Sequence, residues 1–224
     1  MAIEVQGLSG NLVEVDGAKF NAQRVTVRPI DHGSLGAYSY GGFTGILPAA
    51  LAANSEIFQY RWTDATRLCV INGVKISAVV STTFFAAGVP VQVDLIKSTG
   101  WSAAGTLGTP ISPAALLKKR TSMASSLVAS GDMRIATTAA LGAGTKTLET
   151  YAQASIAAPG PITASLNGQI IPPGTLLYEA DVEHGEHPLT LVQNEGFSIR
   201  SVAVPATGTW TAAITVDWTE VTAY

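Results

Sequence analysis

Ile57-Phe58-Gln59-Tyr60-Arg61-Trp62 alternates strictly, with Phe58, Tyr60 and Trp62 on one face and Gln59 and Arg61 on the other. Successive side chains of a strand point to opposite sides, so this spacing predicts a half-buried antiparallel strand. The same period recurs outward from it. Val74, Ile76, Ala78 and Val80 alternate with Lys75 and Ser77, and Val89–Leu95 repeats the pattern with Pro90 at a strand start or edge. Phe197-Ser198-Ile199-Arg200 follows suit, and Trp210, Ala212, Ile214, Val216 and Trp218 share one side of a long strand. Thr211, Thr215, Asp217 and Thr219 share the other. Each of these strands is expected to set one face on a core and one in water.

Turn chemistry punctuates the runs. Asn72-Gly73 reads as a tight hairpin between two β-rich segments, and Ala206-Thr207-Gly208-Thr209 as the tip of a terminal hairpin. Asn167-Gly168 and Pro173-Gly174 mark further turns. The pattern predicts roughly eight to ten short strands and an all-β fold, an antiparallel β-sandwich or jelly roll. One or two short helices are expected beside it. Pro48–Asn54 has proline at its first position and Asn54 as a stop; Pro113–Arg120 has Ser112 as a cap and a basic last turn.

The 224 residues suit a single domain, 1–224, with a sizeable core. Apolar residues make up 47% and charged residues 13%, where about 25% charged is usual. That composition excludes intrinsic disorder. A net charge of −3 argues against a nucleic-acid partner. The apolar runs are too short for a spanning helix, so no membrane partner is expected. Met1–Val5 lacks the basic and apolar parts of a signal peptide, which predicts synthesis in the cytoplasm and a soluble product. The single cysteine, Cys69, lies in Leu68–Ile71 and reads as a small buried hydrophobe. Segments 99–131 and 139–173 are rich in Ala, Gly, Ser, Thr and Pro. They are expected to be extended loops or arms that order against a neighbouring subunit.

Possible chemistry is sparse. Asp181–Pro188 places His184 and His187 among Asp181, Glu183 and Glu186, but Gly185 and Pro188 oppose the helix that would align two ligands three apart. It reads as a polar loop, and no metal or cofactor is expected. Asp31-His32-Gly33-Ser34 has the residue types of a hydrolase triad without the separation its geometry needs. Gly142–Thr147 lacks the spacing of a phosphate-binding loop. Asp94, Asp132 and Glu149 give no recognisable pair for a cell-wall hydrolase. No catalytic residue is therefore assigned, and an enzyme is not expected.

Contact residues are easier to name. Asp64 is expected to cap the Trp62–Arg67 turn or pair with Arg61 or Arg67. Trp101, in Gly100-Trp101-Ser102, reads as an exposed anchor into a partner. Lys118-Lys119-Arg120 is the only basic run, a solvated helix end or an electrostatic contact to an acidic neighbour.

Several blocks resemble proteins of tailed bacteriophages: Arg28–Gly36, Leu51–Asp64, Arg134–Leu141, His187–Leu189, Asn194–Arg200, Gly208–Trp210 and Val216–Val221. The resemblance implies a virion structural protein similar to the capsid decoration (cement) proteins. Such a protein is made in the bacterial host cytoplasm and sits on the capsid surface. It would form a homotrimer bound to the major capsid protein. The alternative is a tail or fibre module that recognises host glycans by stacking Trp62, Trp101 and Tyr40 on sugar faces.

Overall fold

The structure, a computed structural model, describes residues 36–49, 51–86, 89–112, 117–160, 168–181, 186–203 and 207–222. All of them fall inside the compact unit His32–Tyr224. The described strands are β1 (Gly36–Phe43), β2 (Leu47–Pro48), β3 (Ser55–Trp62), β4 (Leu68–Val80), β5 (Pro90–Ala103), β6 (Thr109–Ile111) and β7 (Met133–Ile135). They continue with β8 (Thr145–Leu148), β9 (Ala154–Pro159), β10 (Gln169–Glu179), β11 (Leu189–Leu191), β12 (Glu195–Ala203) and β13 (Thr209–Val221). Two antiparallel sheets pack face to face as a β-sandwich. The first runs β1-β13-β4-β10, with β11 also on β4 and β2 on β13; the second runs β6-β7-β3-β12-β5-β8, with β9 on β5.

Alternation delivers the core. Phe58, Tyr60 and Trp62 from β3 meet Trp210, Ile214, Val216 and Trp218 from β13, all fully buried. Tyr60 stacks on Phe197 of the neighbouring strand at 5.3 Å and joins the layers by meeting Trp218 edge-on at 5.7 Å. Cys69 is buried as expected, its thiol 3.1 Å from the Tyr60 hydroxyl. Burial drives that thiol far above its ordinary pKa, so it stays a neutral packing group.

The glycine-marked turns act differently from expectation. Asn72-Gly73 lies inside β4, not at a hairpin: Ile71 pairs with Trp218 and Gly73 with Asp217, leaving Asn72 as an extra residue. The physical need is phase. Cys69 and Ile71 are buried before the bulge, and Val74, Ile76 and Ala78 after it. An uninterrupted strand would turn one of these sets outward. The bulge also marks where the neighbour of β4 changes from β10 to β11. Pro173-Gly174 sits in a similar register shift within β10, between Ile171 and Thr175. Thr207-Gly208 is not a hairpin tip, because β12 belongs to the second sheet and β13 to the first; the connection crosses between layers.

Pro48–Asn54 does not form a helix in its described residues. Pro48 pairs with Thr209, the Ala49 amide donates to Gly208 O, and Asn54 has a φ of 63° in a turn. Seven residues gain too little to offset the cost of helix nucleation against these tertiary bonds. Of Pro113–Arg120, residues 113–116 lie outside the described set, and Lys118 bridges to Tyr38 on β1 rather than closing a helix. The low-complexity segments also supply strands within the same chain. Segment 99–131 gives the end of β5 and all of β6, and segment 139–173 gives β8, β9 and the start of β10. Small residues still pair well where backbone hydrogen bonds, rather than side-chain bulk, supply the contact.

Candidate functional site

The outer face of the second sheet holds the densest polar chemistry in the described residues. Two bulges build it. On β3, Phe58 pairs with Ile199 and Glu56 with Arg200, so Ile57 is extra and Glu56 and Gln59 come onto one face. On β5, Gly100 adopts a φ of +64°, at an irregularity in the β5–β8 register. That left-handed residue returns Trp101 to the face of Ser98, and the Trp101 indole donates to Ser98 Oγ at 2.6 Å. Gly196 lies beneath the same indole; a side chain there would run into the Tyr60 carbonyl and crowd Trp101.

Glu56 Oε2 is the hub. It accepts from Gln59 Nε2 at 2.6 Å, Ser198 Oγ at 2.7 Å and Lys146 Nζ at 2.7 Å. Lys146 also donates to Ala143 O at 2.6 Å, and its ammonium lies 4.1 Å from the centre of the Trp101 ring. Gln59 donates to Gly142 O at 3.1 Å, and Gly105 packs against its side-chain oxygen. The segments around Gly105 and Gly142, bridged at Thr106, form a cover over the sheet. Glu56 is 5% exposed, Gln59 1%, and the Lys146 side chain 2%. Burial lowers the Lys146 pKa, against the raising effect of the Glu56 hydrogen bond and charge.

Flanking this hub are two further carboxylates held by specific donors. Asp132 accepts from Thr63 Oγ1 at 2.8 Å and faces Arg61 at 3.6 Å; Asp94 accepts from Ser155 Oγ at 2.6 Å and lies 3.4 Å from Arg200. Gln59 and Arg61, read as a solvated face, thus lie under a cover and inside a network. The alternation that exposed their polarity does not encode what packs above them.

Trp101 is not the exposed anchor the sequence suggested. It is 1% exposed, because the cover and the β5 bulge fold its ring inward. Trp62 is fully buried too, its indole donating to Arg67 O at 2.9 Å, and Tyr40 is half-buried on Phe58. Rings that were candidates for sugar stacking are thereby committed to packing. Asp64 does cap the turn that follows β3, accepting the Thr66 and Arg67 amides at 2.8 Å each. Burial raises its pKa, but these bonds, the Thr66 hydroxyl and the Arg67 charge together outweigh it and hold the carboxyl below its usual range.

Lys118-Lys119-Arg120 is stitched to the edge of the first sheet. Lys119 donates its amide to Ala37 O and places Nζ 2.6 Å from Asp217 Oδ1. Part of the charge offered to a partner is therefore used within the chain.

The acidic and histidine-bearing loop borders a separate cleft of about 370 Å³, lined by Lys97, Glu149, Tyr178, Glu186, His187 and Thr190. Tyr178 Oη accepts the Leu189 amide at 2.6 Å, and Glu186 accepts the Asp181 amide at 2.8 Å. Glu183 and His184 lie outside the described residues, as does Asp31-His32-Gly33-Ser34. Among the described residues no group of three or more His, Cys, Asp or Glu is placed to hold a metal ion. Nor does any described helix have the length and apolarity to cross a membrane. No family model, curated protein or solved structure matches this chain.

Proposed function

We propose that the chain is a non-enzymatic virion structural protein of a tailed bacteriophage, a decoration protein that binds the major capsid protein as a homotrimer and stabilises the head. The observation carrying this reading is the outer face of the first sheet. Register places Phe43 beside Ala213 and Ser77, Val79 beside Thr211, and Leu176 beside Lys75 and Thr215 on that face. Phe43 is 77% exposed, and Val79 and Leu176 are 43% exposed each. A broad, pleated surface of small and apolar side chains suits close contact with another protein surface. Its sparse charge keeps the desolvation cost of such contact low. The blocks resembling phage proteins supply the partner. Many weak contacts of this kind add stability to a shell by binding only its assembled form.

The test is co-sedimentation of the purified chain with shells of the major capsid protein, with light scattering to give its oligomeric state. Trimers that saturate the shells and raise their disruption temperature are expected. A monomer that stays in the supernatant at every shell concentration overturns the proposal.

A further inference from the structure

Lys146, Glu56 and Gln59 meet in a compartment where each side chain is almost wholly removed from water. The ammonium nitrogen and the carboxamide nitrogen are hydrogen-bonded to one and the same oxygen, Glu56 Oε2. An ordinary buried ion pair has no need of a carboxamide on that oxygen. Furthermore, Gln59 Oε1 is buried with no hydrogen-bond partner, an arrangement a purely structural glutamine seldom keeps. An amine and a carboxamide are thus gathered on one carboxylate oxygen, with the Trp101 ring over the amine.

The geometry points to a self-catalysed covalent staple: an amide bond between Lys146 Nζ and Gln59 Cδ, formed with Glu56 as the proton carrier. Lys146 first passes a proton to Glu56, which burial of the ammonium favours. The neutral Nζ then attacks Gln59 Cδ, forming the C–N bond. Glu56 gives its proton to Nε2 and accepts the second proton from Nζ. The Cδ–Nε2 bond breaks and ammonia leaves, taking up the proton from Glu56 as ammonium. Amine and carboxamide become a secondary amide and ammonium, Glu56 ends as a carboxylate, and no oxidant or cofactor is consumed. Positioning supplies the rate, because a buried intramolecular amine acts at a very high effective concentration. The bond would tie β8 and its cover to the central strand β3.

Intact-mass measurement of the purified full chain, incubated at neutral pH, tests this directly. Relative to a K146R variant corrected for the substitution, the wild type is expected to be lighter by about 17 Da, the mass of the ammonia released on acyl transfer. E56Q should keep the unreacted mass even where it folds poorly, since the reading is of covalent state rather than stability. Trypsin should leave the chain uncut after Lys146 and release one species carrying both Gln59 and Lys146. A wild type at its full sequence mass overturns the inference. So does a loss of about 18 Da with Lys146 joined to Glu56, because water rather than ammonia would then have left. Either result leaves the capsid reading untouched, which depends on the opposite face of the sandwich.

Discussion

On the outer face of the first sheet Thr211, Thr215, Lys75 and Phe43 stand in or near solvent, whereas on that of the second sheet Glu56, Gln59, Ser198 and Lys146 lie under a cover. Both sheets send most of their large apolar side chains into the same core. The difference arises above them. Among the described residues the first face is met along its β1 edge by the segment from residue 117 to Met123, and the second carries the segments around Gly105 and Gly142. Polar residues in water contribute little to stability, while the same residue types without water must satisfy one another. A pleated face with polar alternation is therefore two different objects, depending on what closes over it.

That contrast is open to measurement, and the largest effects belong to the covered face. Trp101→Ala removes the ring between Ser98, Gly196 and Lys146 and should cost about 3–5 kcal/mol in denaturant unfolding. Measured against a chain whose Lys146 amine is still free, Lys146→Met leaves Glu56 buried without its cation, at a cost of about 3–5 kcal/mol. Lys119→Ala, by contrast, breaks a short but half-exposed pair with Asp217 and should cost under about 1 kcal/mol. If the two lysine variants destabilise equally, the distinction between the faces is wrong. Gly196→Ala forces a methyl against the Tyr60 carbonyl and should cost about 1–3 kcal/mol, read as a drop in Tm.

Glu220 sharpens the comparison from inside the core. Its carboxylate accepts from Ser126 Oγ at 2.6 Å and from the Leu127 amide, anchoring that segment to β13. Burial raises its pKa, against the lowering effect of those bonds, so the folded chain holds the proton more tightly than the unfolded one. The resulting stabilisation is complete below the ordinary glutamate pKa and is lost as pH rises through the raised value. Glu220→Gln removes this titration. The Tm of wild type minus variant should accordingly fall as pH climbs from about 4. The smallest effect is expected on the open face, where Thr215→Val should change stability by less than about 0.5 kcal/mol.

Much of the fold is legible in the alternation of Phe58, Tyr60 and Trp62, of Val74, Ile76 and Ala78, and of Trp210 through Trp218. Their partners are not. Asn72-Gly73 has the composition of a hairpin turn, and its use as a bulge depends on β13 and on the change of neighbour from β10 to β11. The hub was harder still to see. Glu56 and Gln59 are three apart, a spacing that puts them on opposite faces of a regular strand, and only the extra residue at Ile57 reunites them. Trp101 and Ser98 meet across Gly100 in the same way. The positive φ that glycine permits was a signal available at that position, but a flanking low-complexity stretch suggested an exposed loop.

By itself, the order of apolar and polar residues determined that this chain forms antiparallel strands with one face on a core, because side-chain direction in a strand is fixed by local geometry. Tertiary structure alone decided which outer face meets water. The segments that cover Glu56 and Gln59 come from elsewhere in the chain, and their closure depends on long-range pairing that no local pattern records.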